Sequence, residues 1–462
     1  MVMDRFGSLT DPPATFALAG VRVIDPSTNT DAVRDLVVAD GMIRNGDAPS
    51  GIPRIDATGL VAAPGLCDLH THLRTPGDEG AETITSGTRA AAHGGFTTVC
   101  AMPNTDPPLD DALRVRGLLA EAADAAARVR VVAAATRGRA GEQMTDHGAL
   151  AAAGAIGFSD DGVAVASAAV ARQALAYLAP LRLPLVEHAE EPSLASGGLM
   201  RGGLTATRLG LGGWPASAEL AIVERDLALA AETGGWIHFT HLATAAGLEP
   251  IRRARTNGVR VTCDVTPHHL AFTDAWVAGD RHFAWENGRD PDSGAAAGLD
   301  PALAYDGACR VNPPLPTRDD ATALLAAVAD GTVDAIATDH APHPPERKAV
   351  PFAEAAPGLI GLETALGIGL TAVAAGRLEL STLLAALSTR PAALIGESRS
   401  LAAGSNADLV VFDPQRNWRV ERSALASRSA NTPLLGMDLP GLVRLTVAAG
   451  RITYDAGLIG SE

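Results

Sequence analysis

Apolar positions in the middle of this chain fall in short continuous runs, separated by alanine-rich stretches with helical spacing. The runs are Leu66 to His72, Thr97 to Met102, Val129 to Ala135, Ala155 to Ser159, Leu183 to His188, Trp236 to Leu242, Val259 to Val265 and Val333 to Thr338. Runs of this length without alternation read as strands covered on both faces, the habit of parallel sheets. Amphipathic stretches lie between most of them, such as Thr83 to His93, Asp110 to Ala127 and Ser217 to Thr233. Glycine pairs, Gly94-Gly95 and Gly234-Gly235, close helices before the next strand. Eight such βα units in one chain predict an α/β fold, a (β/α)8 TIM-like barrel.

The two ends follow a different pattern. Phe16 to Ile24, Leu36 to Val38 and Met42 to Ile43 read as short strands, with a turn at Asp25-Pro26-Ser27. Ala407 to Phe412, Leu442 to Ala448 and Gly450 to Thr453 repeat the pattern at the far end. Strand-rich ends around a barrel predict a small β-sandwich domain built from both termini. The expected division is a tail over 1–14, the β-domain over 15–63 plus 398–462, and the barrel over 64–397.

A barrel places its chemistry at the C-terminal ends of its strands, and polar residues collect at those ends. The first strand ends in His70 and His72, the second runs into Asn104, and the fourth into Asp160-Asp161. The fifth ends in Glu187-His188, the sixth in His241 and the eighth in Asp339-His340. Residues two apart on a strand share a face, so His70 and His72 converge, with Arg74 on the same parity. Imidazole is a common ligand for divalent transition metals. His70, His72, His188 and His241 with Asp161 and Asp339 therefore suit zinc or a similar ion, one or two per chain. Two ions sharing a bridging carboxylate would use the whole set; a single ion would leave His188 or His241 to the substrate. Such an ion ionises water near neutrality and polarises a carbonyl. Asp339 is the expected acid/base of an amide-hydrolysing set. Of the other histidines, His93 and His147 are expected in solvent and His238 against the helix layer. One of His268 and His269 is expected to point away from the mouth. His282 falls in the Gly/Asp/Ala-rich stretch from Gly279 to Gly307, expected to be a mobile loop without a core of its own.

Composition narrows the function classes. No apolar run approaches the ~18 residues of a membrane helix, and the first residues carry Asp4, Arg5 and Asp11 instead of a secretory core. The formal net charge of −16 argues against nucleic acid or an anionic membrane as partner, and leaves capture of any anionic substrate to local cations. Cys67, Cys100, Cys263 and Cys309 form no CxxC, and a reducing cytoplasm is expected.

Several motifs together carry a family resemblance. Pro64-Gly65-Leu66-Cys67-Asp68-Leu69-His70-Thr71-His72-Leu73-Arg74, Gly94 to Val99, Met102-Pro103-Asn104-Thr105, Asp264 to Leu270 and Ala337 to His343 resemble the class I dihydroorotases of the amidohydrolase superfamily, over roughly residues 60 to 415. The resemblance implies reversible cyclisation of N-carbamoyl-L-aspartate to L-dihydroorotate, a step of pyrimidine synthesis. It implies one zinc on His70 and His72, another on His188 and His241, Asp161 as bridge, and Asp339 as ligand and acid/base. It assigns substrate contacts to Arg74, Asn104, Asn312 and His343, with backbone help at Pro357 and Gly358. A homo-oligomer, a dimer, and assembly with aspartate transcarbamoylase are the partners it brings. Hydantoinases and allantoinases, similar otherwise, typically carry a carboxylated lysine at the fourth strand. This chain has Gly157-Phe158-Ser159-Asp160-Asp161-Gly162 there, which favours the dihydroorotase pattern. Thr75 replaces the family's usual glutamate, and Arg310 and Pro316 stand where lysine and arginine are common. These departures motivate one alternative, a non-catalytic subunit scaffolding aspartate transcarbamoylase; a hydantoinase-like enzyme acting on another cyclic amide is the other.

Overall fold

The computed structural model describes residues 4–44, 46, 50–286 and 299–459. Eight parallel strands follow one another around the barrel: β1 (Leu66–Thr71), β2 (Phe96–Ala101), β3 (Arg128–Ala134), β4 (Ala155–Ser159), β5 (Pro184–His188), β6 (Trp236–Thr240), β7 (Val261–Val265) and β8 (Ala335–Ile336). Each falls inside or within a residue of an apolar run. The hydrogen-bonded order is sequential from β1 to β8. The ring closes where Thr71 bridges His340 in parallel and the His72 N–H donates to His340 O at 2.9 Å. Asp68, buried on the strand that carries His70, tightens the seam. Its carboxylate accepts from the Thr338 N–H and hydroxyl at 2.7 and 2.6 Å, and from the Thr71 hydroxyl at 2.5 Å.

Leu69, Cys100, Val132, Ile156, Val186 and Trp236 line one small cavity with His238. Only the lumen can be reached from six successive strands, so these side chains fill the barrel, with Leu394 and Ile395 plugging its lower end. His238 therefore faces inward and not the helix layer as expected. It bonds Asp264 Oδ2 and Thr262 Oγ1, both at 2.8 Å. Strand alternation would set His238 and His241 on opposite faces, but the φ of 41° at His241 breaks the alternation and both point inward.

Helices form where the alanine-rich stretches predict them. Ile84–His93 begins in a capping box between Thr83 and Ser86, and Ala216–Thr233 ends at Gly234, whose φ of 67° suits the left-handed cap. His93 and His147 are not solvated. His93 pairs with Glu363 at 2.7 Å, and His147 is buried with Nε2 donating to Ala135 O at 2.9 Å. In the stretch expected to lack a core, Phe283 and Trp285 are buried, and Phe283 stacks on Phe272 and Trp276. Residues 287–298 of that stretch lie outside the described residues.

The ends build a second sheet of nine strands. Its order runs Arg5–Phe6, Arg451–Asp455, Leu442–Ala448, Leu409–Asp413, Val61–Pro64, Phe16–Asp25, Thr30–Ala39 and Met42–Arg44, with Arg54–Asp56 pairing Phe16–Asp25. Phe16, Leu36, Ile43, Leu409 and Leu445 share one core, so strands distant in that order meet across it. Arg5–Phe6, expected within a tail, pairs with Tyr454 and Asp455. A C-terminal segment leaves the sheet and lies on the barrel rim. There Ser427 donates to Glu82 Oε2 at 2.5 Å, and Asn431 Nδ2 donates to Ala341 O at 3.0 Å and Gly358 O at 3.1 Å.

Candidate metal centre

Three turns of the backbone aim the site. Arg74, His241 and Asp339 have φ of 58°, 41° and 47°, the left-handed region that residues with a Cβ enter only at a cost. His241 follows Thr240, whose side chain already faces the centre, and continued strand geometry would turn the imidazole outward. The positive φ brings it back.

Asp161 stands in the middle. Its Oδ1 lies 3.3 Å from His70 Nε2, 3.6 Å from His241 Nε2 and 3.8 Å from His188 Nδ1. Its Oδ2 lies 3.6 Å from His72 Nε2. Asp339 Oδ1 is 3.0 Å from His72 Nε2 and 3.5 Å from His70 Nε2. All of these side chains are buried. Atoms each ~2 Å from a common ion keep this spacing between themselves. Two groups have ligand atoms within 4.8 Å of one another: His70, His72 and Asp339, and His70, Asp161 and His241. His188 adjoins the second, its Nδ1 3.0 Å from His241 Nε2.

Surrounding hydrogen bonds set the tautomers. His70 Nδ1 lies 2.8 Å from Thr240 Oγ1, and Thr240 donates onward to Asp264 at 3.3 Å. The hydroxyl therefore accepts from His70 Nδ1, and Nε2 faces the centre, buried with no hydrogen-bond partner. His72 Nδ1 donates to Asn104 Oδ1 at 2.8 Å, and its Nε2 faces Asp339 Oδ1 at 3.0 Å. Glu190 Oε2 accepts from His188 Nε2 at 3.1 Å, leaving Nδ1 toward Asp161. Partners of this kind orient ligands and raise their basicity. An orphaned nitrogen within a converging N/O set fits a divalent metal.

Electrostatics agree with that fit. Burial disfavours charge on Asp161, yet His70, His188 and His241 hold it well below the usual carboxylate range. Asp339 is lowered in the same way by His70 and His72 against its burial. Burial also opposes protonation of His70, but Asp161 and Asp339 outweigh it and raise the imidazole to about 9. For His188 the opposing burial is outweighed by Asp161 and Glu190, to about 10.

The remaining expected residues ring this centre. Arg74 Nε donates to Pro342 O at 3.1 Å and its NH2 lies 3.4 Å from His343 Nε2. His343 Nε2 donates to Pro357 O at 2.8 Å, and Gly358 N–H to Arg310 O at 2.8 Å. Asn104 is committed at both ends, its Nδ2 reaching Asp161 Oδ2 at 3.0 Å. Asn312 Nδ2 donates to Glu190 Oε2 at 2.7 Å. Sequence reasoning missed Glu190, Thr240, Asp264 and Asn431. Glu190 stood two residues past His188 on matching parity and could have been found; Asn431 belongs to the distant C-terminal segment and left no signal.

A family model described as dihydro-orotase-like matches residues 59–246. A dihydroorotase of Geobacter metallireducens is 40% identical over 443 residues, covering 95% of this chain and 99% of its own length. One from Anaeromyxobacter dehalogenans is 42% identical over 444 residues, covering 95% and 97%. Among solved structures, the L-hydantoinase of Arthrobacter aurescens superposes with a TM-score of 0.78 at 23% identity, over 95% of each chain. At that identity the likeness speaks to the fold alone. No helix among the described residues is long and apolar enough to cross a membrane.

Proposed function

Because the chain belongs to the dihydroorotase family, we propose that its metal centre holds zinc and interconverts N-carbamoyl-L-aspartate and L-dihydroorotate. The observation that carries the site assignment is Asp161. It lies among all four imidazoles, Oδ1 within 3.3 Å of His70, 3.6 Å of His241 and 3.8 Å of His188, and Oδ2 within 3.6 Å of His72. A carboxylate so placed would serve two ions at once, His70 and His72 holding one and His188 and His241 the other. No lysine stands at the end of β4 to do the same work.

A divalent ion held there supplies Lewis acidity toward the reacting carbonyl and ionises water near neutral pH. The rest falls to the protein. Arg74, anchored through Pro342 O, has a planar fork for the ring carboxylate. His343 beside it and Asn312, at His188 and Glu190, orient the ring. Asp339, ionised and buried, takes one proton of the attacking water and passes it to the ring nitrogen as the amide C–N bond breaks. The water oxygen stays on the carbonyl carbon as the new carboxylate, and the second water proton goes to solvent. In the reverse direction Asp339 removes a ureido proton as that nitrogen closes on the side-chain carboxyl group, and water leaves carrying that proton and one drawn from solvent. The four buried free thiols suit a reducing cytoplasm.

Metal-loaded protein tested with dihydroorotate, hydantoin and allantoin checks this reading. Turnover should favour dihydroorotate, since only that ring bears a carboxylate for Arg74. Turnover of hydantoin with none of dihydroorotate would overturn it.

A further inference from the structure

Lys348 ends the short helix Pro345–Lys348, and its side chain turns inward, leaving the residue 8% exposed. Nζ donates to three carbonyls: Arg310 O at 3.1 Å, Ala356 O at 2.7 Å and Gly358 O at 2.8 Å. An ammonium has three N–H groups and no acceptor, so the charged form is fully used. The neutral amine would leave one carbonyl unserved.

These carbonyls come from two segments that meet at the substrate side of the centre. Arg310 leads into Asn312, and Ala356 and Gly358 flank Pro357. The Gly358 N–H crosses the same junction to Arg310 O. Asn431 Nδ2 holds Gly358 O from the other side, and Asn431 Oδ1 accepts from the His343 N–H at 3.0 Å. Every carbonyl from Ala356 to Gly358 thus has a donor, and Lys348 supplies the only ammonium among those donors. The fit is close: Gly358 has φ 128°, and a Cβ there would lie 2.6 Å from Ala341 Cβ and 3.2 Å from His343 Nε2.

We propose that Lys348 is a positioning residue that sets substrate affinity, its ammonium locking the Arg310 and Ala356–Gly358 segments so that Asn312 and His343 meet the substrate already in place. The proposal rests on the dihydroorotase reading. Pre-formed geometry of this kind lowers the ordering cost of binding. Burial and the nearby Arg310 disfavour the ammonium, Cys309 and Asp306 favour it, and the balance leaves the lysine at about 7. Arg281, Arg422, Arg428 and His343 line the adjoining cleft, and Arg347 on the same helix is paired with Asp78. As pH rises through neutrality the amine loses a donor and its charge, and the two segments loosen.

The test is KM and kcat for dihydroorotate with the metal-loaded wild type and Lys348→Met, from about pH 6 to about pH 9. The wild-type KM should rise about tenfold across that range, the factor that ~1.4 kcal/mol gives. Lys348→Met should show the high KM throughout, flat with pH, while kcat and bound metal follow the wild type. A Lys348→Met KM that tracks the wild type overturns the proposal. If that variant does not fold, the wild-type profile decides, and a flat KM overturns it. Wild type that turns over dihydroorotate with a flat KM removes this proposal alone; wild type inert toward dihydroorotate removes the function and the proposal with it.

Discussion

Glu190 Oε2 sits 3.1 Å from His188 Nε2 and 2.7 Å from Asn312 Nδ2, so one carboxylate joins a metal-facing imidazole to a substrate-side amide. Glu190→Ala frees His188 to rotate and to change tautomer. Metal affinity should fall ~10–100-fold, the usual effect of losing such a partner. Competition against a chelating dye measures it. Unchanged affinity would show that Asp161 and His241 alone fix the ring.

Asp339→Asn keeps the shape of the side chain and removes its ability to carry a proton. The rate should drop at least ~10²–10⁴-fold, with the far-UV circular dichroism of the wild type. Wild-type rates in this variant, with its metal content verified, would refute the acid/base assignment.

Metal uptake should be coupled to proton release. In the metal-free centre His70 and His188 stand at about 9 and about 10, so both carry protons at neutral pH and must lose them to ligate. Affinity therefore rises with pH up to about 10. The sign for the metal-free fold is opposite. Both values lie above the ordinary histidine value of 6.5. Their stabilisation is thus fully present below that value and is lost as pH climbs through 9 to 10. Calorimetry in buffers of different protonation enthalpy reads the protons released. A heat of binding independent of buffer would contradict the coupling.

Arg74→Lys retains the charge and loses the fork, together with the Nε bond to Pro342 O. The KM for dihydroorotate should rise about tenfold or more, while the rate with uncharged rings such as hydantoin, whatever its size, changes little. Steady-state kinetics on both substrate types separates this from a general loss of the site.

Much of the site could be seen in the linear pattern because barrel strands are buried on both faces and their ends are not. His70 and His72 were placed by a two-residue period, and Asp161, His188, His241 and Asp339 by their position after apolar runs. Periodicity holds only while the backbone stays extended: the φ of 41° at His241 breaks the alternation, so His238 and His241 both face inward although their spacing sets them on opposite faces. Nor does it register pairing across the chain: His93 meets Glu363, and Phe283 stacks on Phe272. Each looked solvated or coreless because its partner lay elsewhere.

The rim brace of Asn431 has a consequence for the order of events during synthesis. Every side chain of the candidate metal centre emerges from the ribosome before Asn431 does, and Phe16–Asp25 waits for Val61–Pro64 and Leu409–Asp413 to complete its sheet. A nascent chain can close its ring of strands early, yet the cradle formed by His343 and Gly358 lacks its brace until the segment bearing Asn431 arrives. Competence for chemistry is thereby tied to synthesis of a segment that lies after the whole barrel.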